Sequence, residues 1–199
     1  MDPRIDEVLQ FWFAPPPEGE ERPSGVELWF QGGAATDRLV RSRFGALLQQ
    51  AKSGKLDGWA STPRGRLALI VVLDQFSRMV HRDTPEAFSA DEKALALCFD
   101  GLDDEMDKKL SAPERAFFYM PAMHAEDVDA QLASVEVFDE LAKAAPPEHR
   151  ALCQSFLRHA EKHRDVVERF ERFPHRNAIL GRTSSADEAA FLTQTGESL

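Results

Sequence analysis

The sequence predicts an all-α protein, an irregular stack of antiparallel helix hairpins, on three observations. Apolar residues recur at helical spacing from end to end, helix-start signals stand at nearly every boundary, and no segment makes a convincing strand. At 199 residues the chain fits one domain, residues 1–199, and a domain of this size buries roughly 70% of the surface its unfolded chain exposes. Eight to ten helices are expected.

Asp2 caps a first helix with Pro3 at its opening position, and Ile5, Val8, Leu9 and Trp12 then share one face. Residues 14–25, rich in proline, glycine and glutamate, hold too little apolar content to pack and read as a flexible surface loop. Leu28-Trp29-Phe30 returns the chain to the core. After Gly32-Gly33 a helix is expected near Thr36 to Ser53, with Leu39, Val40, Phe44, Leu47 and Leu48 inward. Thr62-Pro63 opens the next helix, and Leu67 to Leu73 is apolar all round, the mark of a helix buried on every side. A strand is rejected there because Asp74-Gln75-Phe76-Ser77-Arg78-Met79 continues without a turn residue.

Thr84-Pro85 predicts a helix to about Asp100, and Ser111-Ala112-Pro113-Glu114 has the spacing of a capping box for a shorter one. A long helix is expected from Met123 to Ala144. Pro146-Pro147 ends it and starts another that runs to about Phe170. Ser185-Ala186-Asp187-Glu188 repeats the capping box, and Thr193 to Leu199 reads as a frayed tail. Hairpins in series suggest the building plan of tetratricopeptide-type solenoids, although no clean 34-residue self-similarity is present.

Composition restricts the function classes. Cys98 and Cys153 both sit in apolar helical stretches and read as small buried hydrophobes in a reducing compartment. The N-terminus lacks a basic segment followed by an apolar run, and no apolar run approaches the roughly 20 residues needed to cross a bilayer, so the expected location is the cytoplasm with no membrane partner. A net charge of -10 argues against nucleic acid, because binding a phosphate backbone requires lysine and arginine to displace counterions. An anionic partner would have to be captured locally.

The segment Arg169 to Arg182 offers such a place: four arginines face the single Glu171, a local charge of +3 in an acidic chain. Guanidinium groups bind carboxylate or phosphate through paired hydrogen bonds, so Arg172, Arg176 and Arg182, with His175 and Asn177, suggest a small-anion site. The competing reading is internal pairing with Asp74, Glu126 and Asp127. Asp74 and Arg78 are four apart on the buried helix and can pair there, with Gln75 beside them. His124 with Asp127 and Gln131 falls along one side of the expected helix, and Glu126 or Asp127 could orient the imidazole for general acid or base work. His159 and His163 have a spacing that can hold zinc, but the glutamate of the zincin motif is replaced by Ala160 and no third ligand is evident; His163 reads as a core histidine. Nucleophilic triads and phosphate loops are not supported, and neither metal nor cofactor is expected.

Four ordered motifs carry a resemblance: Leu67-Ala68-Leu69-Ile70 with Leu73 to Arg78; Thr84-Pro85-Glu86-Ala87-Phe88 with Asp91; Met120-Pro121-Ala122-Met123-His124-Ala125-Glu126; and Arg172 to Asn177 with Leu180-Gly181-Arg182. From Val8 to about Phe191 the chain resembles the bacterial domain of unknown function 924 family. The resemblance implies a tetratricopeptide-like right-handed superhelix and no established reaction or ligand. Ser77 stands where proline is common in that pattern, Met79 where asparagine is common, and Glu171 where glycine usually precedes Arg-Phe-Pro. A carboxylate at 171 could pair with Arg172 or Arg176 and weaken an anion site.

Three functional expectations follow. The first is a protein that binds a small anionic metabolite or peptide carboxylate on a concave side, with Arg78, Arg176 and Arg182 on the anion and Asp74, Gln75, His124 and Asn177 as hydrogen-bond partners. The second is a hydrolase-type enzyme in the same cavity, with His124 as acid or base and Glu126 or Asp127 orienting it. The third is an interaction scaffold in which these polar groups only hold the fold.

Overall fold

The computed structural model describes residues 2–195, and every regular element among them is helical. In chain order these are α1 (Pro3–Phe13), α2 (Gly25–Gln31), α3 (Ala34–Lys52), α4 (Pro63–Ile70), α5 (Ser77–Val80), α6 (Asp91–Asp103), α7 (Ala112–His124), α8 (Val128–Ala144), α9 (Pro147–Phe170) and α10 (Ala186–Thr195). Short 3-10 turns at Asp57–Ser61, Pro85–Phe88, Asp107–Lys109 and Pro174–Arg176 connect them. Among the described residues no helix is long and apolar enough to cross a membrane.

The expected caps are made. The Asp2 carboxylate accepts the Arg4 N–H at 3.0 Å ahead of Pro3, and the Thr62 hydroxyl accepts the Gly65 N–H at 3.2 Å. Glu114 accepts the Ser111 N–H at 2.9 Å and Glu188 accepts that of Ser185 at 2.7 Å, closing both capping boxes. Gly65 is required by a close approach: a Cβ there would sit 2.2 Å from the Trp59 carbonyl oxygen.

Three boundaries depart from expectation. The helix predicted from Thr84 to Asp100 is split into a 3-10 turn and α6, because Ser89 and Ala90 break the ladder between Phe88 and Asp91. The helix predicted from Met123 to Ala144 is two: α7 runs through Pro121 to His124, and Asp127 caps α8 by accepting the Ala130 N–H at 2.8 Å. His124 therefore ends one helix while Asp127 and Gln131 belong to the next. The tail expected to fray from Thr193 is helical to Thr195, and 196–199 lie outside the described residues.

Helices α8 and α9 pack along each other, and α7 packs against both. Phe44 and Phe76 stack at 4.7 Å and Trp12 meets Phe117 edge-on at 5.3 Å, so α1, α3, α4–α5 and α7 share one aromatic core. The helix read as buried on every side is so, with Leu67 to Leu73 excluded from solvent. It is not regular. Between α4 and α5, Val71–Phe76 winds as one π turn, a wider coil that recurs at functional positions and here carries Asp74 and Gln75. Residues 14–24 contain no helix, yet Arg22 ties them down: its guanidinium donates to the Phe11 carbonyl at 3.0 Å and lies over the Phe11 ring. Cys98 and Cys153 are free and buried, and burial pushes both thiols up.

Candidate functional site

The buried π turn places a carboxylate in the interior. Asp74 is 0% exposed, and its oxygens are all engaged: Oδ2 accepts Gln75 Nε2 at 2.6 Å, while Oδ1 meets Arg78 Nη1 at 2.9 Å and His124 Nδ1 at 2.8 Å. Burial alone would raise the pKa of this group, but the Arg78 charge and then His124 outweigh it and hold the carboxyl well below the usual carboxylate range. An ionised Asp74 can only accept, so His124 Nδ1 carries the hydrogen, and among the described residues Nε2 has no partner.

Arg78 is gripped a second time. Asp91, at the start of α6, accepts both of its Nη groups at 3.0 and 2.9 Å, a planar paired contact that, with Asp74, holds the guanidinium charged against its burial. Arg176 reaches the same carboxylate from the C-terminal segment, but only at 3.5 Å; its other Nη donates to the His124 carbonyl at 3.0 Å. The Arg176 guanidinium lies over the rings of Phe88 and Phe173, 4.6 and 4.5 Å from their centroids, and its buried Nε–H has no partner. Burial, and then Arg78, push its pKa down to about 10.

These groups wall two hollows that share Phe88, His124 and Arg176. One, of about 270 Å³, is also lined by Arg78, His163 and His175; the other, of about 360 Å³, by Asp91, Glu126 and Asp127. Side chains of His124 and Arg78 remain 17% and 20% exposed, so solvent reaches this interior. His163 and His175 are pushed down to about 3 and about 4, in both cases by burial first and neighbouring cationic groups second, so both are neutral at pH 7.

Of the expected residues, Asp74, Gln75, Arg78, His124, His175 and Arg176 are brought together. Arg182, Asn177 and Glu126 are not part of that cluster; they form a strap. Glu126 accepts both Nη groups of Arg182 at 2.5 and 2.8 Å and the Phe173 N–H at 2.8 Å, and Arg182 Nε donates to Asn177 at 3.0 Å. Arg182 is thus spent on internal pairing, as is Arg172, which Glu188 holds at 2.7 and 2.9 Å. The orienting carboxylate for His124 is Asp74, in place of Glu126 or Asp127: Glu126 is committed to the strap and Asp127 caps α8. The concern that Glu171 would pair with Arg172 or Arg176 is also corrected. Glu171 ends α9 in the left-handed region at φ 58°, a conformation glycine adopts freely, and its N–H closes on Val167.

Two lining residues had no assigned role in the sequence. Asp91 entered only through the Thr84 to Asp91 motif, and its separation from Arg78, 13 residues, gave no pairing along one helix. His163 was read as core, whereas its ring sits 6.3 Å from that of His124 on the cavity wall. Both His159 and His163 direct Nδ1 at the carbonyl four residues earlier, and among the described residues no group of three or more His, Cys, Asp or Glu is placed to hold a metal.

Comparison with curated proteins gives no match. Among solved structures, a protein of unknown function from Agrobacterium tumefaciens superposes with a TM-score of 0.80 at 33% identity, covering 96% of this chain and 98% of that one. The family model described as a bacterial protein of unknown function, DUF924, matches residues 8–196. With that match spanning nearly the whole sequence, the chain belongs to the DUF924 family.

Proposed function

We propose that this is a cytoplasmic protein that binds a small anionic metabolite or peptide carboxylate in the hollow between α5, α6, α7 and the Pro174–Arg176 turn, without nucleic acid or membrane. The observation that carries this reading is Arg176: nearly excluded from solvent, over two aromatic rings, with one Nε–H unpartnered and its nearest carboxylate at 3.5 Å. Burial, and then Arg78, depress its pKa, and a carboxylate or phosphate bound against the guanidinium would offset both. Arg78 contributes less, since Asp74 and Asp91 already hold it. The fixed charges of Arg78, Arg176, Asp74 and Asp91 balance, so affinity comes from the open donors of Arg176 rather than from net field. The tetratricopeptide-like stacking that the family resemblance implies would put such a hollow on a concave side.

Thermal unfolding in the presence of phosphate, sulfate and small carboxylates tests this. A ligand at 100 times its Kd stabilises by about 2.7 kcal/mol, and that shift should vanish in Arg176→Met. A flat response of the folded wild type would overturn the reading and leave an interaction scaffold.

A second reading, an acid–base enzyme of the hydrolase type, draws on the Asp74–His124 contact at 2.8 Å. A carboxylate on Nδ1 fixes the ring and directs the other nitrogen at a bound substrate. His124→Gln should then abolish turnover of a hydrolysed anion while binding persists; retained turnover would remove His124 from the chemistry.

A further inference from the structure

The imidazole of His163, like that of His124, has its hydrogen-bonding character set by a neighbour. Nδ1 lies 2.7 Å from the His159 carbonyl oxygen, which can only accept, so Nδ1 carries the hydrogen. At pH 7 the half-buried ring is neutral, and Nε2 is then a bare lone pair. No donor among the described residues reaches it. Near it stand the Phe173 ring at 5.3 Å and the His124 ring at 6.3 Å, with Arg176 on the same wall.

A wall that sets a cation beside a lone pair makes two demands on one ligand. Oxygens of a carboxylate or phosphate satisfy Arg176 but repel the Nε2 lone pair of His163. A hydroxyl satisfies that lone pair by donating its hydrogen. We propose that the anion taken by this hollow carries a free hydroxyl next to its charged group, with Arg176 on the charge and His163 Nε2 accepting the hydroxyl hydrogen. The ligand class is a small hydroxylated anion, whether hydroxycarboxylate or phosphorylated polyol. This inference rests on the Arg176 reading above and narrows it. His124 Nε2, likewise free of protein partners, faces the same ligand.

Calorimetric titration of the wild type at pH 7 with matched pairs tests it: lactate against propionate, malate against succinate, glycerol 3-phosphate against propyl phosphate. In at least one pair the hydroxylated member should bind about tenfold tighter or more, because a site built around a hydroxyl leaves its own acceptor unpaired when the hydroxyl is missing. In His163→Leu that preference should disappear while the deoxy member still binds. Equal affinity within every pair would overturn the hydroxyl contact and leave anion binding at Arg176 intact. Failure of all six compounds to bind would overturn both readings. Nitrogen-15 spectra of the wild-type imidazoles supply a measurement that needs no variant: His163 Nε2 should be unprotonated at pH 7, and a hydrogen found there would refute the proposal.

Discussion

Acid should destabilise this protein earlier than its carboxylates alone would dictate, and His163 should be a main cause. Its folded pKa is about 3 against an ordinary 6.5, so below pH 6.5 the unfolded chain binds a proton that the folded chain refuses. For a group shifted down in this way, stability is full above the unfolded value and falls as pH drops toward the folded one. Each full proton of difference is worth about 1.4 kcal/mol per pH unit, so between pH 6 and pH 4 His163 alone removes on the order of 2 to 3 kcal/mol. His175, pushed down to about 4, adds to the loss in the same window, though less, because it is more open to solvent. The depressed carboxylates Asp74, Glu126 and Glu188 act lower, from about pH 5 downward, as their unfolded counterparts take up protons. The assay is urea unfolding at half-unit steps from pH 7 to pH 4 on wild type and His163→Phe. Removing the imidazole carries a constant packing cost but deletes the proton, so the gap between the two proteins should close by about 2 to 3 kcal/mol on acidification. Parallel pH profiles would refute the claim that His163 is buried neutral.

Replacing Glu126 with Gln strips the charge from the strap and leaves Arg182 half-buried against a neutral partner; a loss of about 2 kcal/mol in urea unfolding is expected, with faster proteolytic nicking between 171 and 185. Gly65→Ala should cost about 3 kcal/mol, because the added carbon would meet the Trp59 backbone, which cannot yield as a side chain can; a melting temperature within a degree or two of wild type would contradict that approach. Glu171→Gly should stabilise by about 1 kcal/mol, since the left-handed end of α9 strains any residue with a Cβ, and chemical denaturation reads the gain directly.

The helical class, most of the caps and the fully buried central helix were legible because each depends on neighbours in sequence. Asp2-Pro3, Thr62-Pro63 and the two capping boxes state a helix start within four residues, and local hydrogen bonds then realise it. The π turn was not legible. Its extra residue per turn is accommodated by packing on all sides of Val71–Phe76, and nothing in those six residues alone distinguishes it from a regular coil. For the same reason the Asp74–Arg78 contact was foreseen by spacing, while the Asp74–His124 contact, fifty residues apart, was not. The α7–α8 boundary was misplaced because Pro121, normally a breaker, is housed inside α7. Gln131 of α8 then closes the end of that helix, donating to the carbonyls of Met123 and Ala125 at 2.7 and 2.8 Å. Arginine crowding near the C-terminus was visible as charge, but which guanidinium stays open depends on where Glu126 and Glu188 land.

Arg176 leans on one ring from the middle of the chain, Phe88, and one from near its end, Phe173. Synthesis runs from the N-terminus, so a nascent polypeptide collapses most of its aromatic interior before residue 173 leaves the ribosome. Until then the hollow lacks a side. It closes only when the stretch carrying Phe173 and Arg176 swings back and the Glu126–Arg182 pair fastens it, so a polypeptide cut before residue 173 should lack that wall.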